Sequence, residues 1–304
     1  MTKIFIDGSA GTTGLRIHER LSGRAGLELI QLPEDKRKDK NAREEAINAA
    51  DVAFFCLPDA AAVEAASLVH GGTKVIDTST AHRTAAGWAY GFAELQGKRQ
   101  QIADSQFIAN PGCHASGFIS LVEPLVSAGL IAPDTALTCF SVTGYSGGGK
   151  GMIADYEAAD RSVELDAPRQ YALGQEHKHL KEMVKITGLS TAPVFCPIVA
   201  DYYSGMCVTV PLFKKDLRGS VADIVQRYQS CYAGPIVKYV PCPEGMLSGN
   251  ALSGRDDMEI TVTGNEERIL LISRFDNLGK GASGAAIQNL NILLGLEETT
   301  GLVL

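Results

Sequence analysis

A strand, a glycine-rich turn and a helix follow one another at the start of this sequence. Residues 3–7 form a short apolar run, and residues 8–14, GSAGTTG, follow at once, before a helical pattern through Leu15, Ile17 and Leu21. Glycines let the backbone approach a phosphate, and a helix N-terminus supplies N–H donors. The G-x-x-G-x-x-G spacing predicts a dinucleotide site, and a simple tight turn is the alternative. The expected contacts are Gly8, Ser9, Gly11, Thr12, Thr13 and Gly14.

Further strand-like and helical runs alternate after this turn. Residues 27–32, 51–57, 73–77 and 106–109 are predicted strands, and residues 42–50 and 59–69 are predicted helices. The run 51–57 is nearly all apolar, which is typical of a central parallel strand. The alternation predicts an α/β fold that begins with a Rossmann-type, doubly wound parallel sheet.

The pattern changes after about residue 135. Six β-like runs follow, at 135–143, 193–199, 205–213, 236–240, 259–264 and 269–275. They predict a second, α+β domain for substrate binding and dimerisation, with a mixed, mainly antiparallel sheet. We expect the first domain to comprise residues 1–112 with 279–304, and the second residues 113–278.

Glycines recur near the C-terminus as G-x-G-x-x-G, at Gly279, Gly281 and Gly284. Only twenty residues follow Gly284, too few for the rest of a βαβ unit. We therefore interpret the helical pattern from Ala285 as a return to the first domain rather than as a second cofactor site.

A basic cluster follows the second predicted strand. Glu34 and Asp35 are acidic, as is typical of sites that bind the ribose of NAD, but Lys36, Arg37, Lys38 and Lys40 come next. Basic side chains in this place favour the 2′-phosphate of NADP. A solvated charged loop is the alternative.

Cys113 lies between a turn and a helical pattern. Asn110, Pro111 and Gly112 precede it, and apolar residues at helical spacing begin at Phe118. A helix N-terminus stabilises a thiolate, and its N–H groups can hold an oxyanion. The sequence thus offers Cys113 as a nucleophile, and a small buried residue at a turn is the alternative.

The remaining cysteines and the overall charge exclude several classes of protein. The seven cysteines are odd in number and form no C-x-x-C, so neither a disulfide framework nor a zinc ribbon is predicted and a reducing cytoplasm is expected. The net charge of −7 gives no reason to bind nucleic acid, and no apolar run is long enough for a membrane span.

Polar side chains elsewhere are candidates for ligand contacts. Arg83 follows the fourth predicted strand, and Ser146 and Lys150 lie in a glycine-rich run that is either an anion-binding loop or a flexible surface loop. If residues 171–185 are helical, His179 and Glu182 share one face, whereas His177 and His179 point apart. That geometry disfavours a metal site, and none is expected. A solvated polar helix is the alternative to a functional role for this segment.

Six motifs in order resemble those of one enzyme family. They are the glycine turn at 8–14, Asp77-Thr78-Ser79 with Arg83, Tyr90-Gly91 with Glu94-Leu95, Asn110-Pro111-Gly112-Cys113, Tyr171 followed by His177, His179 and Glu182, and residues 276–281 (DNLGKG). This set is similar to the N-acetyl-γ-glutamyl-phosphate reductases, relatives of aspartate-semialdehyde dehydrogenase. His114 in place of an aromatic residue, Lys181 in place of proline and the shorter chain resemble the short-form branch.

The resemblance implies an activity and roles for the candidate residues. The reaction is the NADPH-dependent reduction of N-acetyl-γ-glutamyl phosphate to N-acetylglutamate semialdehyde and phosphate, in arginine biosynthesis, through a thioester on Cys113. His179 is the leading acid/base with His177 close behind, and Glu182 orients the imidazole. Implied substrate contacts are Arg83, Asn110, Ser116, Ser146, Lys150 and Tyr171. Implied cofactor contacts, besides the glycine turn, are Lys36, Arg37, Ser79, Asn277, Gly279 and Lys280.

The resemblance also implies an oligomeric state, and two alternative functions remain open. The assembly is expected to be a homodimer or homotetramer. A related acyl-phosphate reductase, aspartate-semialdehyde dehydrogenase or N-acetyl-aminoadipyl-phosphate reductase, would keep the same chemistry. A dinucleotide-sensing protein without catalysis is the alternative from another class.

Overall fold

The computed structural model describes residues 1–304, which divide into two compact units. The first unit contains residues Met1–Ala93, Gly97–Pro111 and Ala282–Gly301. The second contains Glu94–Gln96, Gly112–Gly281 and Leu302–Leu304.

The first unit is built on a six-stranded, all-parallel sheet. Its strands are β1 (Thr2–Asp7), β2 (Leu27–Ile30), β3 (Val52–Phe55), β4 (Lys74–Asp77), β5 (Ala89–Tyr90) and β6 (Phe107–Ala109). The strand order is β2-β1-β3-β4-β6-β5. The order reverses beside β1, at the carboxyl edge where the glycine turn begins, and this is where such sheets bind ligands.

Helices of the first unit cover both faces of that sheet. They are α1 (Thr12–Leu21), α2 (Lys40–Ala49), α3 (Asp59–Ser67) and α4 (Lys98–Asp104), with a last helix near the C-terminus. On one face Phe5, Phe55 and Val75 pack with Ile47 of α2 and Ala65 of α3. The alternate strand residues Ile4, Phe54 and Ile76 are also fully buried. Burial of both faces explains why these strands are continuously apolar.

The second unit has a seven-stranded mixed sheet. Its helices are α5 (Cys113–Ser127), α6 (Gly149–Glu157), α7 (His179–Thr187) and α8 (Val221–Cys231). Its strands are β7 (Thr138–Gly144), β8 (Arg169–Gln170), β9 (Val194–Ala200), β10 (Met206–Phe213), β11 (Val237–Tyr239), β12 (Met258–Gly264) and β13 (Arg268–Phe275). The order is β11-β12-β13-β10-β7-β9-β8, with β11/β12 and β7/β9 parallel and the other neighbours antiparallel.

Helix α5 runs through the centre of the second unit and contacts α7, α8, β10 and β13. Pro124 lies inside this helix and has no N–H to donate to Ser120, four residues earlier. The hydroxyl of Tyr232 donates to the Ser120 carbonyl instead, at 2.6 Å, and Tyr228 donates to the Leu121 carbonyl. The proline is thus tolerated because α8 and the segment after it supply the missing donor.

The chain ends in α9 (Gly284–Leu293), which belongs to the first unit and contacts α4 and β4. A π-helical turn at Gly279–Ser283, in which hydrogen bonds span five residues, leads into α9. Such turns occur often at functional sites.

The structure confirms the predicted fold class and corrects local details. Residues 171–178 are not helical, because α7 begins only at His179, and α5 begins at Cys113 rather than near Phe118. Ala172 and Gln175 have positive φ angles of 52° and 57°, which a right-handed helix cannot contain. None of the helices has the length and apolarity that crossing a membrane requires.

Candidate active site

The glycine turn of the first unit brings backbone segments into close approach. A Cβ on Gly8, whose φ is +88°, would lie 2.3 Å from the Cys56 carbonyl oxygen, and one on Gly14 would lie 2.4 Å from the Gly8 oxygen. Helix α1 starts at Thr12, and no side chain caps its first-turn N–H groups. The glycine backbone without side chains, together with the first-turn N–H groups of α1 that no side chain caps, fits a bound pyrophosphate.

A cavity of about 890 Å³ opens beside this turn. Residues 8–10 line it on one side, and the segment after β2, including Arg37 and Lys38, lines it on the other. Arg43 also lines it, but its guanidinium is paired with the buried Asp7 carboxylate at 2.9 Å. Lys36 is exposed and is not among the lining residues. The residues present therefore fit a dinucleotide, with Arg37 and Lys38 as the available positive charges.

Side chains beyond β4 of the first unit tie their own loop together. The Ser79 hydroxyl donates to Asp77 at 2.7 Å, and Arg83 donates to the carbonyls of Asn110 at 2.9 Å and Thr78 at 3.1 Å. Asn110 donates to the Ala282 carbonyl at 3.0 Å. These bonds fix the loop, and the ligand contacts assigned to Ser79, Arg83 and Asn110 stay predictions.

Cys113 is the first residue of α5 in the second unit and is half-buried. Gly112 is the N-cap, and its N–H donates to the Glu182 carboxylate of α7 at 2.9 Å. Glu182 thereby holds the turn that presents the thiol. Its predicted role in orienting an imidazole stays a prediction.

The π-helical turn lies directly against Cys113. A Cβ on Gly281 would come within 3.0 Å of the Cys113 Cβ and 3.2 Å of the Phe275 ring. Gly281, in the glycine-containing run 279–281, therefore packs closely against Cys113 within the second unit. A methyl group at this position would require its neighbours, Cys113 among them, to give way by a few tenths of an ångström.

Three imidazoles form a cluster at the start of α5. The ring centroids of His114, His177 and His179 lie 4.7 to 5.7 Å apart. His177 precedes α7, so the helical expectation that His177 and His179 point apart was wrong, and the His179 N–H donates to the His177 ring at 3.1 Å. No group of three or more His, Cys, Asp or Glu side chains anywhere in residues 1–304 is arranged to hold a metal ion.

His114 also joins two hydroxyl groups. Its Nδ1 lies 2.6 Å from the Ser141 hydroxyl, and its Nε2 lies 2.6 Å from the Tyr171 hydroxyl. Burial lowers the pKa of His114 to about 3, with His177 adding to the shift. Burial and the Cys113 thiol raise the pKa of Tyr171. At neutral pH, His114 is therefore neutral and Tyr171 keeps its proton.

The loop that carries Tyr171 and His177 is fastened to β9. The side-chain amide of Gln175 donates to the Phe195 carbonyl at 2.8 Å and accepts from the Phe195 N–H at 2.9 Å. This two-way bond holds the strained turn at Ala172 and Gln175 and fixes the position of both rings.

The other predicted residues of the second unit have varied surroundings. Ser116, one turn after Cys113, is fully buried and its hydroxyl has no hydrogen-bond partner.

Asn277 donates to Ser146 at 2.9 Å and accepts from the Gly205 N–H at 2.8 Å. The ammonium of Lys280 pairs with half-buried Glu94 at 2.8 Å. Gly279 packs against the Arg255 carbonyl, and Lys150 is exposed on α6.

Both units of the chain match known protein-family models. Residues 3–105 match the family model "Semialdehyde dehydrogenase, NAD binding domain", and residues 113–277 match "Semialdehyde dehydrogenase, dimerisation domain". Solved aspartate-semialdehyde dehydrogenases share the fold. The enzymes from Francisella tularensis and Vibrio cholerae have TM-scores of 0.73 and 0.72 at 14% and 15% identity, covering 97% of this chain and 100% and 98% of theirs. Fold and site define an oxidoreductase of the semialdehyde dehydrogenase class with an NAD(P)-binding domain.

Curated relatives narrow the class. N-acetyl-γ-glutamyl-phosphate reductase 2 of Nostoc sp. is 44% identical, covering 99% of both chains, and the reductase of Brucella ovis is 45% identical, covering 96% of this chain and 99% of its own. The chain belongs to the N-acetyl-γ-glutamyl-phosphate reductase family.

Two residues of the site, His114 and Ser141, have no role among the sequence-based predictions. Ser141 and His114 are 27 residues apart and meet only because α5 packs against the sheet that contains β7. The one available signal was a histidine directly after the candidate nucleophile.

Proposed function

We propose that the chain reduces N-acetyl-γ-glutamyl phosphate to N-acetyl-L-glutamate 5-semialdehyde, with release of phosphate, as a step of arginine biosynthesis. The observation that carries the proposal is Cys113 as the first residue of α5, followed directly by His114, whose imidazole contacts those of His177 and His179. The reductases of Nostoc and Brucella, related over nearly the full length, support the substrate.

In the proposed reaction the Cys113 thiolate attacks the acyl carbon. The bond from that carbon to the phosphate oxygen breaks, phosphate leaves with the electron pair, and a thioester remains on Cys113. NADPH, when bound, supplies the hydride that reduces this carbon. The carbon–sulfur bond then breaks, its electron pair returns to Cys113, and the aldehyde is released.

The chain's own groups have three tasks in this scheme. The N–H groups at the start of α5 stabilise the thiolate and the oxygen on the acyl carbon. His179, or His177 next to it, acts as the acid/base. Glu182 holds the Gly112 turn. Ser116, with its unpartnered hydroxyl, is a candidate substrate contact, together with Arg83, Asn110, Ser146, Lys150 and Tyr171.

We infer that the cofactor is NADP rather than NAD. Arg37 and Lys38 line the cavity beside the glycine turn, where their charges suit a 2′-phosphate. The Arg37→Ala/Lys38→Ala double variant should bind NADP about tenfold more weakly or worse, with NAD affinity nearly unchanged. Lys36→Ala is the matched comparison, and it decides whether Lys36 takes part. Equal losses for both cofactors in the double variant would contradict the assignment.

The reaction run backwards tests the substrate. We expect phosphate-dependent reduction of NADP with N-acetylglutamate semialdehyde, and much slower turnover with aspartate semialdehyde or N-acetyl-aminoadipate semialdehyde. Faster turnover with either of these would transfer the proposal to that related reductase. No turnover with any of the three would favour the binding-protein alternative.

We also infer a homodimer that forms through the open face of the second unit's sheet. Phe140, Val194, Phe213 and Leu270 are exposed, and the strand register places all four on one face. An apolar face of this kind marks an interaction surface. A homotetramer would need a second contact. Because all seven cysteines are free, we place the protein in a reducing cytoplasm.

A further inference from the structure

His18 and Gln31 meet on the wall of the cavity beside the glycine turn of the first unit. Both residues line this cavity of about 890 Å³. His18 lies in the last turn of α1, and Gln31 directly follows β2. The Nε2 atoms of the two side chains are 3.1 Å apart, which is a hydrogen-bond distance. The pair therefore presents a held polar group to a molecule that fills the cavity.

The hydrogen bonds of Ser22 decide which ring nitrogen of His18 carries the proton. The Ser22 hydroxyl donates its only proton to the His18 carbonyl at 2.7 Å. Its oxygen also lies 3.3 Å from Nδ1 of His18, so in that contact the oxygen accepts from Nδ1–H. A neutral imidazole has one N–H, and Nε2 of His18 is then an acceptor.

The orientation of the Gln31 amide follows from this assignment. Because Nε2 of His18 accepts, the Gln31 atom that faces it is the amide nitrogen, which donates. The other end of the amide is the oxygen Oε1, which has no hydrogen-bond partner within residues 1–304. The Gln31 side chain is exposed, so this acceptor is open to a ligand.

Gln31 stands where Rossmann-type sheets recognise the adenosine ribose of a dinucleotide. In NAD-binding sheets an Asp or Glu near the end of the second strand binds the 2′-hydroxyl. A carboxylate there repels the 2′-phosphate of NADP, since like charges in an interface are unfavourable. Ile30 is the last residue of β2, so Gln31 brings an oxygen acceptor to this place without the negative charge.

We propose that Gln31 is a specificity-determining residue of the cofactor cavity and that His18 positions it. Oε1 of Gln31 accepts from the 3′-hydroxyl of the adenosine ribose, which NADP and NAD share, and the neutral amide admits the 2′-phosphate. Arg37 and Lys38, which line the same cavity, supply positive charge for that phosphate. This assignment rests on the proposed function, which places NADP in the cavity.

The first test exchanges the amide for a carboxylate of the same shape. Dissociation constants of NADP and NAD are measured by calorimetry at about pH 8, where an ordinary histidine is neutral. Gln31→Glu should weaken NADP about tenfold or more, because the carboxylate faces the 2′-phosphate, and should leave NAD unchanged or tighter. Gln101→Glu makes the same charge change on an exposed residue of α4 and should alter neither constant.

The second test removes the contact that positions Gln31. His18→Phe keeps a ring but offers the amide no acceptor. Because the 3′-hydroxyl is common to both cofactors, each should bind about threefold more weakly, and the ratio of their affinities should stay the same. Gln31→Ala should give a similar loss. The double variant His18→Phe/Gln31→Ala should lose no more than Gln31→Ala alone, because the two residues act as one unit.

Three results would overturn the assignment. One is an unchanged ratio of NADP to NAD affinity in Gln31→Glu, and another is additive losses in the double variant. The third concerns Glu34 and Asp35, whose carboxylates also line the cavity. A larger loss of NAD affinity in Glu34→Gln or Asp35→Asn than in Gln31→Ala would give the ribose to that carboxylate.

The wild-type protein separates this assignment from the proposed function. Wild-type protein that binds neither cofactor would refute the proposed function and the assignment together. Wild-type preference for NADP with an unchanged ratio in Gln31→Glu would refute the assignment alone.

Discussion

At the scale of single residues, the candidate site depends on the absence of a side chain at Gly281 as much as on the groups around Cys113. Gly281 leaves room for the thiol, Gly112 gives its N–H to Glu182, and Ser116 keeps an unpartnered hydroxyl one turn further along α5. The sequence indicated Cys113 through local signals, a turn and a helix start. It could not indicate Ser141, because that contact depends on packing between distant segments.

A side chain at Gly281 should disturb the thiol. In Gly281→Ala the new methyl group would meet the Cys113 Cβ at 3.0 Å and the Asp276 carbonyl at 3.1 Å. We expect a loss of about 1–3 kcal/mol in unfolding free energy, as for overpacked cores, and slower Cys113 alkylation. Gly151→Ala is the matched control. Its Cβ meets nothing within 4 Å on helix α6, so unfolding free energy should stay equal or rise. Equal behaviour of the two variants would contradict this packing.

The buried His114 should make stability depend on pH. Its folded pKa is about 3 against an ordinary value of 6.5, so between these values the unfolded chain binds a proton that the folded chain does not. The stabilisation from neutral His114 is complete above about pH 6.5 and is lost as the pH falls towards 3. Thermal unfolding of wild type and His114→Phe over this range is the measurement. The wild-type melting temperature should fall more steeply, and parallel curves would show that His114 is not the cause.

At the scale of elements, the β1–turn–α1 unit was predictable because its determinants are contiguous in sequence. The loop 171–178 was not, because its helical-looking pattern is overridden by positive φ angles at Ala172 and Gln175 and by the bonds of Gln175 to β9. Local propensity is a weak guide where a loop is fastened to a strand about twenty residues away.

Two glycines of the cofactor turn should tolerate alanine differently. A Cβ on Gly14 would lie 2.4 Å from the Gly8 carbonyl oxygen, which is backbone and cannot move aside, whereas a Cβ on Gly11 has no neighbour nearer than 3.5 Å. Gly14→Ala should therefore lower the melting temperature of the cofactor-free protein by several degrees, an amount that corresponds to about 1–2 kcal/mol in a domain of this size. Gly11→Ala should leave it nearly unchanged. A reversed order would mean that the turn is packed otherwise.

At the scale of the whole molecule, the sequence predicted a parallel and a mixed sheet because strand alternation and composition differ between the two halves of the chain. The strand order of each sheet, and the exposed face of the second, became visible only with the register. That face carries Phe140, Val194, Phe213 and Leu270, which the sequence alone could not separate from core residues.

A charge on this face should weaken the proposed homodimer. Phe140 is 44% exposed on β7, next to the central strand of the sheet, so Phe140→Asp should cost little in folding but should desolvate a carboxylate on association. Sedimentation should show wild type as a dimer or larger and Phe140→Asp shifted to monomer. Leu296→Asp, an exposed leucine of the first unit, is the control. A dimeric Phe140→Asp would place the interface elsewhere.

The most direct test of the account is a single turnover without phosphate. N-acetylglutamate semialdehyde and NADP are mixed with the protein, and NADPH formation and the mass of the Cys113 peptide are followed together. We predict a burst of about one NADPH per active site, an N-acetylglutamyl thioester on Cys113, and renewed turnover when phosphate is added. The same burst in Cys113→Ser, or steady turnover without phosphate and without an adduct on Cys113, would contradict it.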